Sequence, residues 1–187
     1  LKILVASQGG KSTLARALAA ETGLPYIELD SIKHMAGWVE RGAEDFRGEV
    51  QRVFDTHPGG WVIDGNYSTD LGEMVVKAAE TVIFVNMPWR VMYWRTFRRS
   101  MGRAWHKRVL WNGNAETWRD LLFSRDSFLL WLLTNRRRFG ARRAERLRAW
   151  AAGTRFIELG GRAALNRFYV DRGLDRAAAT ERGLTLS

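Results

Sequence analysis

Val5-Ala6-Ser7-Gln8-Gly9-Gly10-Lys11-Ser12-Thr13 follows the apolar run Ile3-Leu4-Val5 and leads into the alanine-rich segment Leu14 to Ala20. That order spells strand, glycine turn and helix, and Lys-Ser-Thr after a glycine is the closing half of a phosphate-binding loop, G-x-x-x-x-G-K-[ST]. The complete pattern needs a glycine six residues before its lysine. That position is Val5, so the first glycine and one residue are missing. Either the loop is shortened, which tightens its anion nest, or the sequence lacks a residue. The chain opens on Leu1 rather than methionine, which favours the second, and the expectation is one extra residue, a glycine, between Val5 and Gly9.

Such a loop works because glycine backbones let successive N–H groups converge on one anion at a helix N-terminus, where the dipole already favours negative charge. Gly9, Gly10 and the N–H of Ser12 suit that role. Lys11 would reach the transferred phosphoryl group, the Ser12 hydroxyl would ligate magnesium, and Thr13 would add a phosphate contact. A glycine turn before a serine-capped helix leaves a similar local pattern. Strand before and helix after favour the phosphate site.

Outward from the loop, Leu14, Ala17, Leu18 and Glu21 share a helical face that Gly23 closes. Tyr26-Ile27-Glu28-Leu29 reads as a second strand ending in Asp30, followed by a loop to Arg41. Phe46, Val50, Val53 and Phe54 then form a helical stripe. Trp61-Val62-Ile63 is a third strand ending in Asp64-Gly65, and Leu71, Met74, Val75 and Ala78 mark a helix. Thr81 to Val85 is a fourth strand, apolar enough to be covered on both faces, as parallel strands are. From Trp89 to about Trp150 the pattern is helical, with breaks at Asn112-Gly113-Asn114 and Gly140. Thr154 to Leu159 is a fifth strand, and Arg162 to Val170 a last helix with Ala164, Leu165 and Phe168 facing inward. Alternating strand and helix predicts an α/β fold with a parallel sheet.

A chain of 187 residues suits a single domain, 1–187, with a helical basic insertion at 90–150 and a tail at 172–187. There is no cysteine, which excludes disulfides, thiolate zinc sites and cysteine nucleophiles and suits a reducing cytoplasm. Phe128 to Leu133, the longest aliphatic-aromatic run, is too short to span a bilayer, and no basic-then-apolar leader opens the chain. A cytoplasmic protein without membrane association is expected. Residues 90–148 carry 16 basic and 4 acidic side chains, net +12, within a total of +10. A basic block in an otherwise near-neutral chain points to a polyanionic partner, either nucleotide phosphates or nucleic acid.

Asp30 and Asp64 stand at strand C-termini, where parallel sheets hold their ligands. Asp64 would hold magnesium through water or contact an acceptor, and Asp30 would orient or deprotonate an acceptor hydroxyl. Arg95, Arg98, Arg99, Arg103 and Arg108 can supply a lid over a phosphoryl group, since the charge of phosphoryl transfer is spread over equatorial oxygens. Arg136-Arg137-Arg138 and Arg142-Arg143 read as surface or partner-facing. Trp38, Trp105 and Trp111 lie in loops where base stacking is feasible, though packing is the commoner use of tryptophan. His34, His57 and His106 show no metal-ligand spacing.

GGKSTLARALA, LPYIELD, AGWVER, WVIDGNYS, TVIFVNMPWRVMYWRTFRR and VLWNGNAETWRDLL together make nearly the whole chain resemble the adenylate-kinase-like P-loop proteins known as DNA topology modulation proteins, relatives of the nucleoside monophosphate and shikimate kinases. The resemblance implies a P-loop NTPase three-layer sandwich, sheet order 2-3-1-4-5, with an arginine-rich lid after the fourth strand. It implies ATP and magnesium as cofactors, Asp64 near the metal, and Arg95 to Arg103 in the lid. Where adenylate kinases grip the monophosphate with Phe-Pro-Arg this chain has Asn66-Tyr67, so adenylate kinase activity itself is not expected. The expected activity is phosphoryl transfer from ATP to a small molecule or nucleotide. A nucleic-acid-binding regulator using residues 90–148, and an ATPase switch without an acceptor, are the alternatives.

Overall fold

The computed structural model describes residues 1–7, 11–65, 67–94, 97–98 and 141–176. In the first strand, β1 (Lys2–Ser7), successive side chains enter different apolar layers: Ile3 and Val5 join one buried cluster, Leu4 and Ala6 the other. The third strand, β3 (Trp61–Asp64), splits in the same way, with Val62 on one side and Trp61 and Ile63 on the other. The fourth, β4 (Thr81–Asn86), sends Ile83 and Val85 one way and Val82 and Phe84 the other. Period-two alternation with both faces apolar is what a sheet needs when helices cover it on each side.

With β2 (Tyr26–Glu28) and β5 (Arg155–Gly160), these strands form one parallel sheet in the order β2-β3-β1-β4-β5. Parallel neighbours need crossover connections, and helices provide them. On one face lie α1 (Lys11–Thr22), burying Leu14, Ala15, Ala17, Leu18 and Ala19, and the last helix. Its alanines let α1 sit close to the sheet. It ends where Gly23 takes a left-handed φ of 70°. The other face is covered by α3 (Ala43–Thr56) through Phe46 and Val50, by α4 (Met74–Ala78) through Val75 and Val76, and by α5 (Ala141–Trp150) through Ala144 and Leu147. The sheet order reverses at β1: the earlier half of the chain lies to one side of it and the later half to the other. A reversal of that kind opens a crevice outside the strand C-termini.

Three details differ from the sequence pattern. β1 runs on to Ser7, pairing Ala6 with Phe84 and Ser7 with Val85, so three residues separate it from the start of α1 at Lys11. Asp30 does not end a strand. β2 stops at Glu28, and α2 (Leu29–Lys33) begins at once, because Leu29 and Lys33, one helical turn apart, are both buried. The loop expected up to Arg41 therefore contains α2 and a 3₁₀ turn, Ala36–Trp38. In the last helix, α6 (Gly161–Asp171), Leu165 and Tyr169 are the buried pair, while Phe168 only flanks the core. Within the stretch expected to be helical throughout, residues 89–94, 97–98 and α5 are helical, and 99–140 lie outside the described residues. Of the tail, 177–187 also lie outside them. Among the described residues no helix is long and apolar enough to cross a membrane.

Candidate functional site

The chain leaves β1 at the crevice, between β3 and β4, and returns as α1. Ser12, half-buried, and Thr13, exposed, lie in the first turn of that helix. Lys11 opens the helix, while Gly9 and Gly10 lie outside the described residues. Arg98 is helical and exposed just after β4; Arg99 and Arg103, like Arg95 and Arg108, lie outside the described residues.

Asp64 ends β3 beside Val5 on one side and Glu28 on the other, and it is 0% exposed. The Tyr26 hydroxyl donates to its Oδ2 at 3.0 Å. Burial, reinforced by the carboxylate, pushes the Tyr26 phenol well above its usual range, so it remains a donor at any working pH. Arg16, one turn beyond Ser12, lies over the Tyr26 ring at 5.1 Å and meets Glu28 Oε2 at 3.6 Å. The chain then turns at Gly65, whose N–H reaches the Val5 carbonyl at 3.3 Å. A β-carbon there would meet Leu29 Cβ and Cδ1 at 2.7 Å, and neither backbone can yield without disturbing α2. Gly65→Ala is therefore expected to lose about 1–3 kcal/mol of stability, as overpacked sites do, read as a lower urea midpoint with an unchanged slope.

Asp30 is met from across the crevice. The Tyr67 hydroxyl donates to Asp30 Oδ1 at 2.6 Å, and His34 Nε2 lies 3.5 Å from the same oxygen of Tyr67. Burial first, then the Asp30 carboxylate, raises the Tyr67 phenol far above its ordinary range and keeps it protonated. Phe46 packs edge-on against the Tyr67 ring, centroids 5.1 Å apart at 81°. The loop behind α2 closes on itself: His34 bridges Glu40, Met35 N–H reaches the Val39 carbonyl at 2.8 Å, and Arg41 N–H the Lys33 carbonyl at 2.9 Å. Lys33, 4% exposed, donates to the Arg41 carbonyl at 2.8 Å and lies 3.1 Å from Asp70 and 3.7 Å from Glu40.

Of the residues singled out in the sequence, the structure thus sets Ser12, Asp30 and Asp64 at one end of the sheet. Tyr26, Tyr67, His34 and Lys33 join them without having been predicted. His34 was dismissed for lack of metal spacing, yet it stands beside the Tyr67 hydroxyl. Asp64 and the Ser12 hydroxyl are hard oxygen donors of the kind magnesium takes, and they fit an ion that keeps waters and binds nucleotide phosphates. Among the described residues no group of three or more His, Cys, Asp or Glu could hold a metal by itself.

The basic block is less open than its charge implies. In α5, Arg148 is 2.6 Å from Glu158 and 5.4 Å over the Phe156 ring, and Arg146 lies 6.0 Å over Trp150. Burial, with Arg146 nearby, lowers the Arg143 guanidinium from its usual value. These arginines cover the edge of the sheet with their stems and planes, which argues against reading 142–143 as purely partner-facing. No family model matches the chain, and no curated protein matches it either.

Proposed function

We propose that this protein is a magnesium- and ATP-dependent phosphotransferase of the P-loop kinase class that acts on a small molecule. The observation that supports this most is topological. The strand feeding Gly9-Gly10-Lys11-Ser12-Thr13 lies at the point where the sheet order reverses, and Asp64 ends the strand beside it. Lys11 and the lid arginines Arg98, Arg99 and Arg103 would serve the donor phosphates, and Asp30 would take the acceptor's proton. Gly9, Gly10 and Thr13 would contact phosphate through backbone and hydroxyl. Ser12 and Asp64 would hold magnesium, which when bound offsets the charge of the phosphate oxygens.

Calorimetric titration with Mg-ATP tests the donor half. Saturable binding near one per chain supports it, and no heat from well-folded protein refutes it. Arg98→Ala separates a lid residue from a plain binding contact. As a lid residue it should lose about tenfold or more in kcat with KM nearly unchanged, because its interaction is made only in the transition state. Equal losses in ground-state binding and turnover would remove Arg98 from the lid.

The alternative of a nucleic-acid-binding regulator draws on the charge of residues 90–148. Salt distinguishes it: a duplex binder that neutralises several phosphates loses affinity by orders of magnitude as salt rises, and a cradled nucleotide loses far less. An ATPase switch would show slow hydrolysis with no phosphorylated product.

A further inference from the structure

Lys33 and Arg41, the cations that flank the loop behind α2, are already bound to carboxylates. Lys33 has Asp70 at 3.1 Å and Glu40 at 3.7 Å, with the Arg41 carbonyl accepting its third contact at 2.8 Å. Its ammonium also lies 5.4 Å over the Phe46 ring. Arg41 meets Glu49 at 3.5 Å and donates from Nε to the Ile32 carbonyl at 2.9 Å. Across the crevice Arg16 is held by Glu28 at 3.6 Å. What faces Asp30 instead is a neutral phenol, Tyr67, with the imidazole of His34 behind it.

We infer that the acceptor bound beside Asp30 carries hydroxyl groups and no phosphate or carboxylate, being a sugar, a cyclitol or an unphosphorylated nucleoside, with Lys33 and Tyr67 as the residues that set this preference. The inference rests on the phosphotransferase reading. A phosphorylated acceptor would need a cation. To supply one, Lys33 would have to leave two carboxylates and emerge from a site where it is 4% exposed. Otherwise the incoming charge would face Asp30, Glu40 and Asp70, and like charges brought together this way are strongly unfavourable. A hydroxyl both donates and accepts, and so suits a carboxylate, a phenol and an imidazole side by side. In the transfer the acceptor oxygen forms a bond to the γ-phosphorus of ATP. The bond from that phosphorus to the bridging oxygen breaks, ADP leaves with the electron pair, and the acceptor's proton passes to Asp30.

The test uses the full chain with magnesium and a non-hydrolysable ATP analogue, and follows the His34 imidazole by NMR. The protein has three histidines, so His34→Gln assigns the signal. Two pairs of probes are titrated: adenosine against AMP, and glucose against glucose 6-phosphate. The expected result is that at least one unphosphorylated member shifts the signal and that its phosphorylated counterpart binds about tenfold more weakly or worse. Equal or tighter binding of the phosphorylated member overturns the inference, and so does silence toward both unphosphorylated probes. Releasing Lys33 with Asp70→Asn and Glu40→Gln together should strengthen AMP binding about tenfold; unchanged AMP affinity would overturn the role given to Lys33. Calorimetry with Mg-ATP on the same sample reads the donor site separately. Loss of ATP binding would refute the phosphotransferase reading, whereas preference for the phosphorylated probes would refute only the acceptor class.

Discussion

Lys11→Ala is expected to weaken Mg-ATP binding by roughly 100- to 1,000-fold, about 3–4 kcal/mol, without moving the urea midpoint. The size follows from the chemistry of the contact. A hydrogen bond from a charged donor is worth about 1.5–3 kcal/mol, and an ammonium between two phosphates makes more than one. Stability should hold because the core face of α1 is made by Leu14, Ala15, Ala17, Leu18 and Ala19 rather than by its first residue. The measurement is calorimetric, at about 150 mM salt, where exposed charges are largely screened beyond a Debye length. The variant also decides the question the sequence opens with. β1 extends to Ser7 and α1 starts at Lys11, so the connection has three residues in which to build an anion nest. If wild-type protein binds and the variant does not, those residues suffice. If the two bind alike, the phosphates are held elsewhere and the loop is not the donor site.

The strands and the helices on each side of them were legible because each carries its own periodicity. Ile3-Leu4-Val5 and Val82 to Val85 are apolar at every position, and only a sheet covered twice needs that. The order of the strands was not legible in this way. Periodicity says which residues face inward and nothing about neighbours, so the order came from a family resemblance, and the register of β1 with β3 and β4 matches it. The site divides along the same line. Asp30 and Asp64 were found because strand ends are positions that local sequence can mark. Their partners were not: Tyr67 lies 37 residues from Asp30, and Tyr26 lies 38 from Asp64. Helix α2 escaped as well, since five residues hold a single turn and one apolar pair cannot establish a period. The sharpest failure is Lys33. A lysine in a loop is read as solvated, and only the fold shows that Asp70, Glu40 and the Phe46 ring enclose it.

Phe46→Ala should cost about 3–5 kcal/mol, the usual loss for a fully buried phenylalanine, and it should loosen the acceptor side of the crevice as well. Phe46 is 0% exposed and is where α3 meets the site: its ring takes the edge of Tyr67 at 5.1 Å and the Lys33 ammonium at 5.4 Å. Against a typical domain stability of about 5–15 kcal/mol such a loss is large, so the unfolding midpoint should fall steeply. The substitution Phe46→Leu isolates the second effect. It keeps most of the buried volume and should cost less than about 1.5 kcal/mol, yet it removes the aromatic face from Lys33 and the ring contact from Tyr67. If α3 positions the acceptor residues, the leucine variant stays folded while the His34 signal shifts toward that of a Tyr67→Phe control. If the His34 signal is unmoved in a stable Phe46→Leu protein, Phe46 is a core residue only, and the Tyr67–Asp30 hydrogen bond is held by the Asp64-Gly65 turn without help from α3.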